Sequence, residues 1–157
     1  MNSKECKFGY RESIFKRKKN WVILEATLKL KRGKKQEIQK KIKNILKQRK
    51  ERQPLEFPSA GSVFKNVSAK KLPKETKEKF KDKIKNGFLP AAVLIEECGL
   101  KRKAIGGAKI SEKHANFILN LKNAKAKDVF DLIQLVKKKV REKFRIDLEE
   151  EIVLVGF

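Results

Sequence analysis

The sequence predicts an α+β fold, a small, mostly antiparallel sheet packed with helices. Past Gln53 the pattern reads strand, helices, two strands, a long helix and a final strand. That order lays helices against a small sheet rather than building alternating parallel units. The long helix carries its apolar residues at helical spacing, whereas the strands are short apolar runs bounded by Gly, Pro, Ser or Asn.

Taken in order, Gly9 marks a turn within Phe8-Gly9-Tyr10-Arg11, and a basic run Arg17-Lys18-Lys19 follows. From Trp21 to Lys31, Val22, Leu24, Ala26, Leu28 and Leu30 alternate onto one face, which predicts a half-buried strand. Few upstream residues are available to pair with it, an indication that its partners are missing. Gly33 ends that run. Lys34 to Arg52 predicts a helix with a narrow stripe of Ile38, Ile42, Ile45 and Leu46, which links two structural units. Pro54 terminates it.

Gln53 to Asn66 is the most structured loop in the chain. Pro54 and Pro58 hold an extended approach, since each fixes its own φ and disfavours helix in the residue before it. Ser59-Ala60-Gly61-Ser62 predicts a tight turn, with Gly61 in a conformation other residues avoid. Val63 and Phe64 begin a short strand. Thr76 to Asn86 predicts a short helix with Phe80 and Ile84 inward and Gly87 as its C-cap. Pro90 opens a helix that runs through Ala91 to Cys98 and stops at Gly99. Ala104 to Ile110 is strand-like, and its Gly106-Gly107 pair allows close backbone approach or a bulge. Asn116 to Asn120 predicts a strand. Asn123 to Phe144 predicts the longest helix, with Val129, Leu132, Ile133, Val136, Val140 and Phe144 as its stripe. Glu149 to Phe157 reads as a last strand that buries Ile152 to Val155.

The 157 residues suffice for one ordinary domain, or for a domain and a fragment. Net charge is +23, from 42 Lys and Arg against 19 Asp and Glu, which points to an anionic partner. The cations are mostly Lys and are interspersed with Glu. A basic nucleic-acid-binding module is therefore one reading, but zinc spacing, an RNA-type aromatic motif and a clustered basic helix are all missing from the sequence. Cys6 and Cys98 have no metal-type spacing, so no metal site is expected. His114, the lone histidine, is expected to be structural rather than catalytic. No apolar leader follows Met1, and no run approaches the ~18 residues of a membrane span. The expectation is a cytoplasmic chain without a membrane partner.

A resemblance narrows this further. Gln53-Pro54-Leu55, Pro58-Ser59-Ala60-Gly61-Ser62 and Phe64-Lys65-Asn66 together resemble the signature turn of the UDP-N-acetylenolpyruvoylglucosamine reductases. Four other pieces fit in the same order: Tyr10-Arg11-Glu12-Ser13; Pro90 to Glu96; Gly106-Gly107 with Ser111 to Phe117; and Glu151. Val67 departs from the family, which more often has proline there. The resemblance implies reduction of the enolpyruvyl group of UDP-N-acetylglucosamine enolpyruvate to give UDP-N-acetylmuramate, a step of peptidoglycan precursor synthesis that uses FAD and NADPH.

Carried over by motif, Ser62 is the proton donor, and Arg11 and Glu151 stabilise the enolate. Glu151 does so either protonated or by orienting Arg11. Tyr10, Arg49, Gln53 and Asn66 line the nucleotide-sugar site. The family's N-terminal flavin domain, with its glycine-rich pyrophosphate loop, has no counterpart in these residues. The resemblance thus implies three parts: residues 1–33 as the end of a flavin-binding domain, 34–52 as a linking helix and 53–157 as the substrate domain. It also implies a separate or missing flavin domain as partner and no FAD or NADPH held by this chain alone. A truncated reading frame, half of a split enzyme and a substrate-binding remnant without redox activity all remain compatible with the sequence.

Overall fold

The structure, a computed structural model, describes residues 1–18 and 20–156. Lys19 of the basic run and Phe157 of the expected last strand lie outside the described residues. The chain divides into two compact units, Met1–Ile45 and Leu46–Phe157.

In the first unit, Gly9 forms the expected turn. Its N–H donates to the Glu12 carbonyl at 2.9 Å, and the Glu12 N–H donates back at 3.3 Å. Tyr10 and Arg11 occupy the tip, with Arg11 at φ +54° and its guanidinium 5.8 Å from the Tyr10 ring centroid. A single helical turn, α1 (Ile14–Arg17), follows. The strand expected over Trp21 to Lys31 does not form: this stretch is irregular, and Leu24 is 92% exposed. The alternation is present, but a strand also needs a neighbour for its N–H and C=O groups and a surface for its apolar face. None of the described residues supplies either.

The helix expected next is α2 (Lys35–Arg52). It buries no residue, and its stripe of Ile38, Ile42, Ile45 and Leu46 faces solvent.

The second unit is the α+β fold. Its sheet runs in the order β1 (Ser59–Ser62), β6 (Phe117–Asn120), β5 (Ala108–Ile110), β4 (Ala104–Ile105), antiparallel throughout. A second pair, β2 (Val67–Ser68) and β3 (Phe88–Leu89), is also antiparallel. Three helices complete the unit: α3 (Lys74–Lys79), α4 (Ala91–Glu97) and α5 (Ala126–Phe144). The predicted stripe of α5 is the core: Leu132, Ile133, Val136, Val140 and Phe144 are buried, and Val129 is half-buried. They share a core with Leu89, Leu94, Ile95, Ala108, Ile110 and Ile118 from the two sheets and α4. Each Val, Leu, Ile or Phe side chain among them contributes about 1.5–3 kcal/mol on burial.

Three local expectations are corrected. The helix expected over Thr76 to Asn86 is α3 followed by a 3₁₀ turn at Lys81–Lys83, and Gly87 does not cap it. Instead Asn86 (φ +50°) and Gly87 (φ +79°) form a two-residue hairpin turn, with mutual backbone bonds between Lys85 and Phe88. Asn-Gly is the pair such a turn prefers, because both central residues take positive φ. The Ala104–Ile110 run is two strands folded back at Gly106-Gly107. The last strand reduces to one bridge, Phe64 with Glu150. Beyond it Val153 and Val155 are exposed, because β1 leaves them no continuous ladder.

The glycine pair does permit close approach. A Cβ on Gly107 would lie 2.2 Å from the Lys122 carbonyl oxygen, and one on Gly106 2.3 Å from Asp128 Oδ2. Asp128, in the first turn of α5, accepts from Lys125 N–H at 3.0 Å and Gly107 N–H at 3.1 Å. It thus caps the helix and ties it to the hairpin.

Two predictions follow from this architecture. Amide exchange should be fast through residues 1–33 and slow through Val129–Val140, as measured by hydrogen exchange with mass spectrometry; equal protection would contradict the exposure described. Asp128 should govern part of the acid sensitivity. The bonds from Lys125 and then Gly107 hold its carboxyl below the ordinary 3.8. A lowered folded value contributes stability above the unfolded value, and this is lost as pH falls through the folded one. Asp128→Asn should therefore be less stable at neutral pH, and its stability should fall less steeply below pH 3.8 in urea titrations at several pH values.

Candidate active site

The approach to β1 is held at both ends. Pro54 is buried, and the Pro58 carbonyl accepts from Asn120 N–H at 2.9 Å. Lys113 Nζ reaches Glu56 Oε1 at 2.8 Å, which keeps that carboxyl below its ordinary value. The tight turn expected at Ser59–Ser62 is instead strand β1, and it is irregular. Ser59 pairs with Leu119 and Ser62 with Phe117, so three steps on β1 match two on β6. One residue is therefore extra, and Gly61 absorbs it at φ +81°. The bulge bends the strand locally while Ser62 keeps its place opposite Phe117. Ser62 is half-buried, and its hydroxyl makes no hydrogen bond to another described residue.

Immediately beyond, Val63 and Phe64 are 3% and 2% exposed. On one side the Asn116 carbonyl accepts from Val63 N–H at 2.9 Å. The Asn116 side chain brackets Phe64: Oδ1 accepts from its N–H at 2.9 Å, and Nδ2 donates to its carbonyl at 2.8 Å. On the other side Glu151 N–H donates to the Val63 carbonyl at 2.7 Å and Lys65 N–H to the Glu149 carbonyl at 2.9 Å. Ser62 and Glu151 are thus tied through one residue, Val63. Lys65, then Lys71, pair with Glu149 at 3.3 and 3.5 Å and lower its pKa, and Lys137 holds Glu150 at 2.7 Å.

The other candidates are distributed as follows. Arg49, in the last turn of α2, donates from Nε to Gln53 Oε1 at 2.8 Å, so these two form a pair. Asn66 Oδ1 accepts from Ala91 N–H at 3.2 Å, at the start of α4. Ser62, Asn66, Glu151, Arg49 and Gln53 all belong to the second unit, and Tyr10 and Arg11 to the first.

His114 behaves as a structural residue. Its ring lies 4.8 Å from that of Phe117, Nδ1 accepts from Asn116 N–H at 3.3 Å, and burial pushes its pKa below the ordinary 6.5. Cys6 and Cys98 are free thiols. Cys98 is half-buried, and desolvation pushes its thiol up, which disfavours the reactive thiolate. Among the described residues no cluster of three His, Cys, Asp or Glu is arranged for a metal, and no helix is long and apolar enough to cross a membrane. Asn116 escaped the sequence reading as a site residue. The available signal was a carboxamide inside the apolar run Ala115 to Leu119, where a polar side chain must find buried partners.

Comparison with known proteins identifies the family. The family model described as UDP-N-acetylenolpyruvoylglucosamine reductase, C-terminal domain, matches residues 53–155. A UDP-N-acetylenolpyruvoylglucosamine reductase of Fervidobacterium nodosum is 49% identical over 152 residues, which cover 97% of this chain and 43% of that protein. One from Caldanaerobacter subterraneus is 43% identical, over 99% of this chain and 45% of its own length. The crystal structure of the Thermus caldophilus reductase superposes with a TM-score of 0.52 at 35% identity, covering 78% of this chain and 36% of that one. This chain therefore spans less than half the length of the curated relatives it matches. It belongs to the UDP-N-acetylenolpyruvoylglucosamine reductase family, and residues 53–155 carry that family's C-terminal domain.

Proposed function

We propose that this chain is the substrate side of an NADPH- and FAD-dependent reductase that converts UDP-N-acetylglucosamine enolpyruvate to UDP-N-acetylmuramate in the cytoplasm. The observation that carries the reading is the 2.7 Å bond between Glu151 N–H and the Val63 carbonyl, which tethers the strand after Ser62 to the segment bearing Glu151. Reduction of the enolpyruvyl double bond adds a hydride to one carbon and a proton to its neighbour. The residues of this chain serve the second event.

Ser62 donates the proton. Its hydroxyl is a poor acid in water, but an enolate carbon is basic enough to take the proton when geometry is fixed. Arg11 supplies positive charge for the enolate oxygen. Glu151 acts either protonated, as a donor, or by orienting Arg11. Tyr10, Arg49, Gln53 and Asn66 bind the nucleotide sugar. With Nε of Arg49 taken by Gln53, the reading assigns its two terminal nitrogens to phosphate, which the planar guanidinium can grip with paired bonds. The surplus of +23 raises the local concentration of such an anionic substrate, charged on its diphosphate and on its carboxylate.

The residues present do not fit a flavin. The one glycine pair in the second unit is packed against the Asp128 carboxylate and the Lys122 carbonyl, groups that would repel a pyrophosphate. Flavin binding is therefore assigned to a partner unit, either separate or continuous with this one in a longer protein. In this reading residues 1–33 are the end of that unit and 34–52 the link. The exposed faces of Val22, Leu24, Leu28 and Leu30 support it, since an apolar row of that kind needs a cover.

The purified chain should carry no stoichiometric flavin; a yellow preparation with a one-to-one flavin spectrum would overturn the division of labour. With a flavin-binding unit supplied as a fusion or in trans, Ser62→Ala should leave flavin reduction by NADPH nearly intact. It should slow reoxidation by the enolpyruvyl substrate by ~10²-fold, the scale of a lost general acid. Glu151→Gln should slow the same half-reaction, and Arg11→Lys should not rescue it. Stopped-flow flavin absorbance separates the two steps. Slowing of the NADPH step alone, or of neither, would remove Ser62 from the assigned role.

A further inference from the structure

We infer that Asn116 is a positioning residue, which sets Ser62 and Glu151 in register by acting as a substitute strand. The inference rests on the reading of those two residues given above. The β1–β6 ladder ends at Ser62 with Phe117. One residue further, β6 has no backbone to offer Phe64, and the Asn116 carboxamide takes over. It presents one acceptor and one donor, as a peptide group would, at 2.9 and 2.8 Å from Phe64 N and O. Its own carbonyl holds Val63 N–H at 2.9 Å. Asn116 is 3% exposed and Phe64 2%, so water cannot replace these bonds.

No other side chain fits. Asp has two acceptors and would set one of them against the Phe64 carbonyl. Gln is one methylene too long, and Ser reaches only one of the two groups. The consequence extends past Phe64. The Val63 carbonyl that receives Glu151 N–H shares one peptide group with the Phe64 N–H that donates to Asn116 Oδ1, so a released Phe64 loosens the seat of Glu151. Asn116 touches no reacting atom in this arrangement. It acts through the backbone between the two residues that do.

The test uses the whole 157-residue chain and two variants, Asn116→Asp and Asn116→Ser. Residue-resolved amide exchange by NMR should show Phe64 and Glu151 losing protection at least about tenfold together, with Val136 and Val140 unchanged. Loss at Phe64 with full protection at Glu151, or no loss at either, overturns the proposal. Global unfolding of both variants also overturns it, since the residue would then support the domain as a whole. With the flavin-binding unit added, Asn116→Asp should slow reoxidation by the enolpyruvyl substrate about tenfold or more and spare reduction by NADPH. A merely structural role would slow both or neither. If Ser62→Ala leaves both half-reactions unchanged while the coupled exchange loss is seen, the assignment of chemistry fails and the coupling stands.

Discussion

Three residues, Val63 to Lys65, are hydrogen-bonded on both sides by pieces of chain far away in sequence, and the second unit depends on that arrangement. Asn116 closes one side and Glu149 to Glu151 the other. Both flanks are unusual: one is a side chain rather than a strand, the other a single bridge rather than a ladder. The buried pair Val63 and Phe64 cannot leave its backbone groups unpaired, because desolvation without a partner costs about 1–3 kcal/mol for each group. Burial therefore forces the bonding, and the bonding brings the end of β1, the loop before β6 and the segment after α5 to one place. The α5 core supplies the rigid floor on which this junction is held.

Much of this was legible in the sequence. The α5 stripe is a 3.6-residue pattern, and each of its residues from Leu132 to Phe144 is buried where the period puts it. Gly61 has the positive φ expected of it, Gly99 ends its helix as expected, and the Gly106-Gly107 pair has the close backbone approach. The antiparallel sheet followed from short runs separated by turn residues. What periodicity could not reveal was whether a strand finds a neighbour. Trp21 to Lys31 and Ile152 to Val155 both have strand-like composition, yet neither has a ladder partner among the described residues. Strand formation is a property of a pair, whereas helix formation at Lys35–Arg52 needs only its own backbone. The bulge in β1 was likewise hidden, because register is a property of two paired segments and not of either alone.

Charge is the other property the composition overstated. Many of the acidic groups are paired with lysine at the surface: Glu97 with Lys79, Glu142 with Lys139, Glu112 with Lys109 and Arg102, and Asp131 with Lys127. Exposed pairs of this kind contribute little to stability and are screened by salt. Their effect is on the field. Each pair cancels charge locally, so the +23 surplus resides in the cations outside such pairs.

The extra residue in β1 has a consequence for how the protein tolerates change. A side-chain exchange at Ala60, which is exposed, alters only what solvent sees. A change in the number of residues is different in kind. Deleting one position between Ser59 and Ser62 would let β1 and β6 pair without a break, and the ladder would become more regular. The pairing beyond it would not change, because Ser62 already lies opposite Phe117. What would be lost is the local bend and added twist that an unpaired residue puts into its strand just before Ser62. Sequence length in this stretch, more than sequence identity, therefore sets the direction in which the strand delivers its hydroxyl.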